Sequence, residues 1–216
     1  LIGEPTSVDR LGDTVKIGRR GSVNMWIEVP GVQGHVAYPH RATNPVAPLA
    51  RVISALDAVH LDDGTEQFPP SNLEFTAIST PTNASNVIPG SATAQLNIRF
   101  NNLQRGADLV KMVEEIAERE APGSTVKARI SGEAFLTPPG RLFDVVVEAI
   151  DEETGNKPEL STSGGTSDGR FLIQLCPVVD FGLPNATMHK VGECAAVENI
   201  EQLSRIYERI VRKIVA

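Results

Sequence analysis

At 216 residues, 41% hydrophobic and with a formal charge of −7, the chain has the size and balance of one large or two ordinary globular domains. The acidic charge excludes nonspecific nucleic-acid binding, which draws on clustered Lys and Arg to neutralise phosphates. No run approaches the ~18 apolar residues of a membrane span and no basic-then-apolar leader opens the chain, so no membrane partner is expected and the cytoplasm is the default.

The first twenty residues hold the turn Gly3-Glu4-Pro5-Thr6 and a short apolar stretch, Val15-Lys16-Ile17-Gly18-Arg19. Proline disfavours the α region for the residue before it, so Glu4 is held extended. It reads either as a carboxylate aimed at a fixed point or as a solvated loop glutamate. From Ser22 the pattern alternates, with Val23, Met25, Ile27 and Val29 on one face of a strand. Gly34-His35-Val36-Ala37-Tyr38-Pro39-His40 follows and is expected as a loop, being too rich in Gly and Pro for regular structure. Val46, Leu49, Ile53 and Leu56 recur at helical spacing. Leu73, Phe75 and Ala77 mark a second strand, and Ala92, Ala94, Leu96, Ile98 and Phe100 a third. Leu109, Val113 and Ile116 give a second helix, and Val126, Ala128 and Ile130 a fourth strand. The order βαββαβ is that of the ferredoxin-like fold, a four-stranded antiparallel sheet with both helices on one face, here spanning residues 21–132.

Beyond it, Leu142, Val145, Val146, Ala149 and Ile150 define a helix. The turn Ser163-Gly164-Gly165-Thr166-Ser167-Asp168-Gly169 is expected to feed a helix N-terminus, with Thr166 or Ser167 as cap or with an anion on its amides. Val178, Val179 and Phe181 read as a buried strand, and Ile200, Leu203, Ile206, Ile210 and Val211 as a last helix. Residues 1–20 and 133–216 thus form an α/β layer. It has too few strands to cover its helices, so its first half is expected to precede Leu1. His189, just past the strand, fits a metal ligand, a general base, a substrate contact or a histidine hydrogen-bonded at a strand end. Cys176 and Cys194 lack metal-motif spacing and are read as reduced thiols.

The motifs Gly-Glu-Pro-Thr at 3–6, Gly-His-Val-Ala-Tyr-Pro-His at 34–40, Ser-Asn-Val-Ile-Pro at 85–89, Gly-Gly-Thr-Ser-Asp-Gly-Arg-Phe at 164–171 and Met-His-Lys-Val-Gly-Glu at 188–193, in that order, closely resemble the succinyl-diaminopimelate desuccinylase family. That family lies within the co-catalytic zinc deacylases and exopeptidases that include acetylornithine deacetylase. The resemblance implies the C-terminal part of a zinc-exopeptidase-like catalytic α/β domain, with an inserted ferredoxin-like lid that forms a homodimer. It implies hydrolysis of N-succinyl-LL-2,6-diaminopimelate to succinate and LL-2,6-diaminopimelate, in lysine and diaminopimelate biosynthesis. The cofactor would be two zinc ions, with cobalt or another divalent metal as alternatives, placed about 3.5–4 Å apart to activate a bridging water.

Carried over by position, the resemblance makes Glu4 and His189 metal ligands, one to each zinc. It gives His35 the role of reaching into the partner subunit's site as an oxyanion donor. Substrate contacts fall on Arg19, Tyr38, Asn86, Arg99, Ser131, Gly165, Thr166 and Asn185, with Arg19 and Arg99 suited to the anionic acyl-amino-acid substrate. Ser85 departs from the Asn-Asn pair expected there. The remaining ligands and the general base have no counterpart among these residues, since Glu114-Glu115 and Glu152-Glu153 sit in helices of the wrong regions. The expectation is therefore a fragment inactive alone, whose N-terminal catalytic half is a missing partner. A related N-acyl amino acid is the alternative substrate. The alternative class is a non-catalytic dimerisation or small-molecule binding module.

Overall fold

The computed structural model describes residues 1–216. Ten strands and five helices follow one another: β1 (Thr14–Lys16), β2 (Gly18–Arg19), β3 (Gly21–Pro30), β4 (Gly34–His35), α1 (Val46–Asp57), β5 (Asn72–Ser79), β6 (Val87–Ile88), β7 (Ser91–Phe100), α2 (Gly106–Glu120), β8 (Thr125–Gly132), β9 (Phe135–Leu136), α3 (Arg141–Thr154), β10 (Glu159–Ser161), α4 (Gly169–Leu172) and α5 (Val197–Val215). They divide into two compact units. One, here the α/β unit, comprises Leu1–Arg20, Glu66–Pro69 and Ala134–Ala216; the other, the sheet unit, comprises Gly21–Thr65 and Pro70–Glu133. Glu66–Pro69, expected within the span 21–132, groups with the α/β unit, where the Thr162 hydroxyl donates to the Gln67 carbonyl and Phe68 is buried.

The sheet unit has strand order β5-β7-β3-β8, with every neighbouring pair antiparallel. This is the βαββαβ arrangement. Alternation along β3 and β7 buries Val23, Met25, Ile27, Leu96, Ile98 and Phe100, because α1 and α2 pack side by side on that face. Gly21 lies opposite Phe100, and a Cβ there would come within 2.3 Å of the ring, so the strand starts with the one residue that admits it. The stretch expected as a loop instead contains β4, paired antiparallel with β6 at Gly34–Ile88 and His35–Val87, then a 3-10 turn at Pro39–Arg41. Pro39 presets its own φ for that turn, and the chain already leaves β4 in the turn closed by the bond from the Tyr38 amide to the His35 carbonyl (2.8 Å).

Asp62 organises the long connection from α1 to β5. Its Oδ1 accepts from the amides of Gly64 (2.9 Å) and Ser71 (3.1 Å) and from Asn101 Nδ2 (2.5 Å), and its Oδ2 from Gln104 Nε2 (3.3 Å). Burial alone would raise this carboxyl; the hydrogen bonds from Ser71, Gly64 and Asn101 outweigh it and hold it at about 2. With its folded value below the ordinary 3.8, the group stabilises the fold above that ordinary value and ceases to do so as pH falls toward about 2. Asp62→Ala is expected to cost about 1–3 kcal/mol at neutral pH. It should also flatten the acid limb of the stability curve, as urea unfolding at several pH values would show. An unchanged acid limb would remove Asp62 from this role.

In the α/β unit β1 runs parallel to β10, and β2 antiparallel to β9. Leu11, Val15, Val146, Ile150, Val179, Phe181 and Ile206 form the core, with α3 against α5. Two expectations change here. Val178–Phe181 is buried as expected but joins its neighbours only by single bridges, Ile2 to Asp180 and Lys16 to Asp180, so it forms no continuous strand. The helix after the Gly-Gly turn has four residues, and its N-cap is Asp168 without a side-chain bond rather than Thr166 or Ser167. The Ser167 hydroxyl does accept the Gly169 amide two positions on (3.2 Å).

Candidate active-site residues

The expected site residues fall on both units. In the sheet unit, pairing of β4 with β6 holds His35 on an exposed ribbon. The Ala37 amide donates to His35 Nδ1 (3.1 Å), and the Tyr38 amide to the His35 carbonyl (2.8 Å). A backbone N–H can only donate, so Nδ1 carries the lone pair and the ring proton resides on Nε2. Nε2–H is thereby presented as a hydrogen-bond donor. Tyr38 lies beside it, with ring centroids 5.8 Å apart, and the Arg41 guanidinium sits 5.5 Å from the Tyr38 ring centroid. Asn86 is exposed, and its carbonyl accepts the Val36 amide (3.1 Å), which ties the two arms of the ribbon together.

Arg99 and Ser131 lie on the sheet face away from the helices, and both are half-buried. Between them run Asn97 and Asn24, neither anticipated from sequence. Asn97 Nδ2 donates to Asn24 Oδ1 (2.9 Å) and to Ser22 Oγ (3.2 Å), and Asn24 Nδ2 to Ser131 Oγ (3.4 Å). The signal for them was the polar phase of the β7 alternation, Gln95-x-Asn97-x-Arg99, on a face that does not enter the core.

In the α/β unit, Glu4 is half-buried beside Gly182, where a Cβ would lie 2.5 Å from the Glu4 carbonyl oxygen. His189 is exposed and is the chain's one non-glycine residue with positive φ, 62°. Its amide donates to Glu193 Oε2 (3.2 Å), and the surrounding loop is stapled by Thr187, whose hydroxyl donates to the Cys194 carbonyl (2.9 Å) and accepts the Cys194 amide (3.1 Å). These bonds hold the His189 backbone in a sparsely populated region. Asn185 Nδ2 reaches the Pro5 carbonyl (3.5 Å), linking the Glu4 and His189 segments.

Arg19 is only 7% exposed. Its Nε and Nη2 both bond Asp180 Oδ2 (2.8 and 2.7 Å), and its Nη1 bonds the Gly165 carbonyl (3.2 Å). Asp180 is 2% exposed and its Oδ1 has no partner. The sequence carried a signal for this pair: an acid inside the apolar run Val178-Val179-Asp180-Phe181 needs a buried cation. Thr166 is exposed, and its hydroxyl accepts from Arg170 Nη1 (2.9 Å). Glu152 and Glu153 pair with Arg205, Arg209 and Lys213 of α5, which lowers both carboxyls through hydrogen bonds led by Lys213 and Arg205 respectively.

A catalytic zinc needs three protein ligands and a structural one four. No group of three or more His, Cys, Asp or Glu side chains in this chain could hold a metal ion. The residues present therefore do not complete the two-metal centre that the resemblance implies.

Residues 17–125 match the family described as the peptidase dimerisation domain of the M20 group. The chain is 59% identical over 214 residues to a succinyl-diaminopimelate desuccinylase of Sphingopyxis alaskensis, covering 99% of this chain and 57% of the relative. It is 62% identical over 212 residues to one of Zymomonas mobilis, covering 98% and 56%. The chain thus spans a little over half the length of these curated relatives. A crystal structure of an M20 family metallo-carboxypeptidase from Sulfolobus solfataricus shares the fold, with a TM-score of 0.80 at 12% identity over 97% of this chain and 62% of that one. By sequence match and fold alike, the chain belongs to the M20 peptidase dimerisation domain family.

Proposed function

We propose that this chain is part of a metal-dependent N-acyl amino acid amidohydrolase whose substrate is N-succinyl-LL-2,6-diaminopimelate. The observation that carries the reading is the identity of 59–62% to relatives named succinyl-diaminopimelate desuccinylase, extending through both units. In this reading residues 21–132 are the lid and self-association module, and residues 1–20 with 133–216 are part of the catalytic domain. Val197 (64% exposed), Ile200 (50%), Val211 (59%) and Val215 (78%) on α5 support this, being an apolar surface that a larger α/β layer would cover. The reaction is assigned to the cytoplasm; no helix is long and apolar enough to cross a membrane.

Each residue then has a defined task. His35 Nε2–H donates to the scissile carbonyl as it gains charge, acting from the lid of the partner subunit. Arg99, free of any internal ion pair, receives a substrate carboxylate beside Ser131, while Tyr38 and Asn86 contact substrate from the ribbon that carries His35. Arg19, Gly165, Thr166 and Asn185 line the other part of the substrate site. Glu4 and His189 are ligands to two divalent ions, zinc in this reading, completed by residues outside this chain.

The test is turnover by the whole protein on N-succinyl-LL-diaminopimelate, the N-acetyl analogue and an unacylated dipeptide. The succinyl substrate should be preferred in kcat/KM. Preference for either competitor would overturn the substrate assignment. Arg99→Met is expected to raise KM for the succinyl substrate, by about tenfold or more for a lost charge-assisted contact. An unchanged KM would remove Arg99 from the substrate site.

A further inference from the structure

We infer that Lys16 is a positioning residue: together with Arg19 it clamps the Ser161–Gly165 segment and so fixes the conformation of the Gly164-Gly165-Thr166 turn. Lys16 is 8% exposed, yet its ammonium is met by hydroxyls rather than by a carboxylate, donating to Ser161 Oγ and Ser163 Oγ at 2.9 Å each. Those two hydroxyls are themselves 3.0 Å apart. The parallel register places Lys16 opposite Ser161, so the backbone of β1 and β10 sets the reach of the side chain. Arg19 grips the other end of the segment through the Gly165 carbonyl (3.2 Å). Gly164, between the two grips, has φ 97°, a conformation for which glycine is the ordinary residue.

The turn makes few bonds of its own. The amides of Gly164, Gly165 and Thr166 donate to nothing within the chain, whereas the Ser163 amide is taken up by Ser161 Oγ (3.3 Å). Three open amides in succession form a surface for an anionic group only while the backbone holds one shape. Two cations reaching from β1 and β2 supply that restraint from outside the turn.

Keeping a charge in this position is costly. Burial lowers the Lys16 ammonium below its usual range, and the charge of Arg19 lowers it further, against the opposing pull of Glu159 and Asp13. A folded value below the unfolded one means that the protonated form weakens the fold, and that this cost is relieved as pH rises toward 10.5. Lys16→Met keeps the apolar stem and removes the charge, so the variant is expected to fold.

What the turn binds rests on the proposed function; what Lys16 does to the turn does not. The test on the turn is {1H}–15N heteronuclear NOE measurement on the whole protein. In Lys16→Met the values at Gly164, Gly165 and Thr166 are expected to fall to those of exposed loops while β10 keeps its own. Ser161→Ala/Ser163→Ala, which removes the acceptors and leaves Lys16 in place, should give the same fall, and Lys16→Arg should restore much of it. Wild-type NOE values at the turn in either the Met variant or the double alanine variant would overturn the inference. In the whole protein Lys16→Met should raise KM about tenfold with kcat nearly unchanged, the pattern of lost uniform binding. A fall in NOE with KM unmoved would leave the clamp standing and sink the assignment of this turn to the substrate.

Discussion

His35→Ala in the whole protein is expected to lower kcat for desuccinylation by about 10²–10³-fold, the cost of removing one oxyanion donor. KM and thermal stability should be nearly unchanged. The stability expectation follows from position: His35 is exposed, and its ring makes only the bond from the Ala37 amide. The catalytic expectation follows from the proton. With Nδ1 occupied by a backbone donor, the ring offers Nε2–H as a hydrogen-bond donor toward the reacting carbonyl. His35→Gln, which offers an amide N–H from a flexible side chain, should recover part of the loss. A kcat within a few-fold of wild type for His35→Ala would show that the lid loop does not act on the reacting carbonyl.

The second large effect concerns the buried pair in the α/β unit. Asp180→Ala is expected to destabilise this unit by about 3–5 kcal/mol, because it leaves the Arg19 guanidinium buried without its counter-charge. Arg19→Met/Asp180→Leu should recover most of that loss. The pair is incompletely satisfied, with both guanidinium bonds on Oδ2 and Oδ1 without a partner. Desolvation is therefore not fully offset by bonding, and an apolar pair of similar volume costs less than half a pair. Urea unfolding of the single and double variants measures this directly. A double variant as unstable as Asp180→Ala would mean that Arg19 supports the fold mainly by its bond to Gly165, and the energetic argument would fail. The same pair bears on Arg19 as a substrate contact. With two of its donors taken by Asp180 and one by Gly165, Arg19 reaches a ligand most directly through the turn that it holds.

The sheet unit was legible because its chemistry repeats. β7 alternates apolar and polar over ten residues, and one buried face leaves only one register. The α/β unit was less legible. β10 is three residues, Glu159-Leu160-Ser161, with Leu160 exposed, and offers neither alternation nor an apolar run; its strand character comes entirely from pairing with β1. Val178–Phe181 looks like a strand in sequence because it is buried, but Asp180 spends its backbone on one bridge to each side. The site divides in the same way. Spacing alone left Glu4, His35 and His189 ambiguous, each a polar residue in a loop, and only the order of five motifs distinguished them. Asn24, Asn97 and Asp180 went unnoticed because their roles depend on partners 73 to 161 residues away.

The central claim, that His35 and His189 serve one catalytic site across a dimer, is tested most directly by mixing two inactive variants of the whole protein. His35→Ala keeps the metal ligands and lacks the lid donor; His189→Ala lacks a ligand and keeps the donor. After subunit exchange, each mixed dimer should hold one intact site, and desuccinylase activity should rise well above either parent. Activity in the mixture no greater than the average of the two parents would contradict the account.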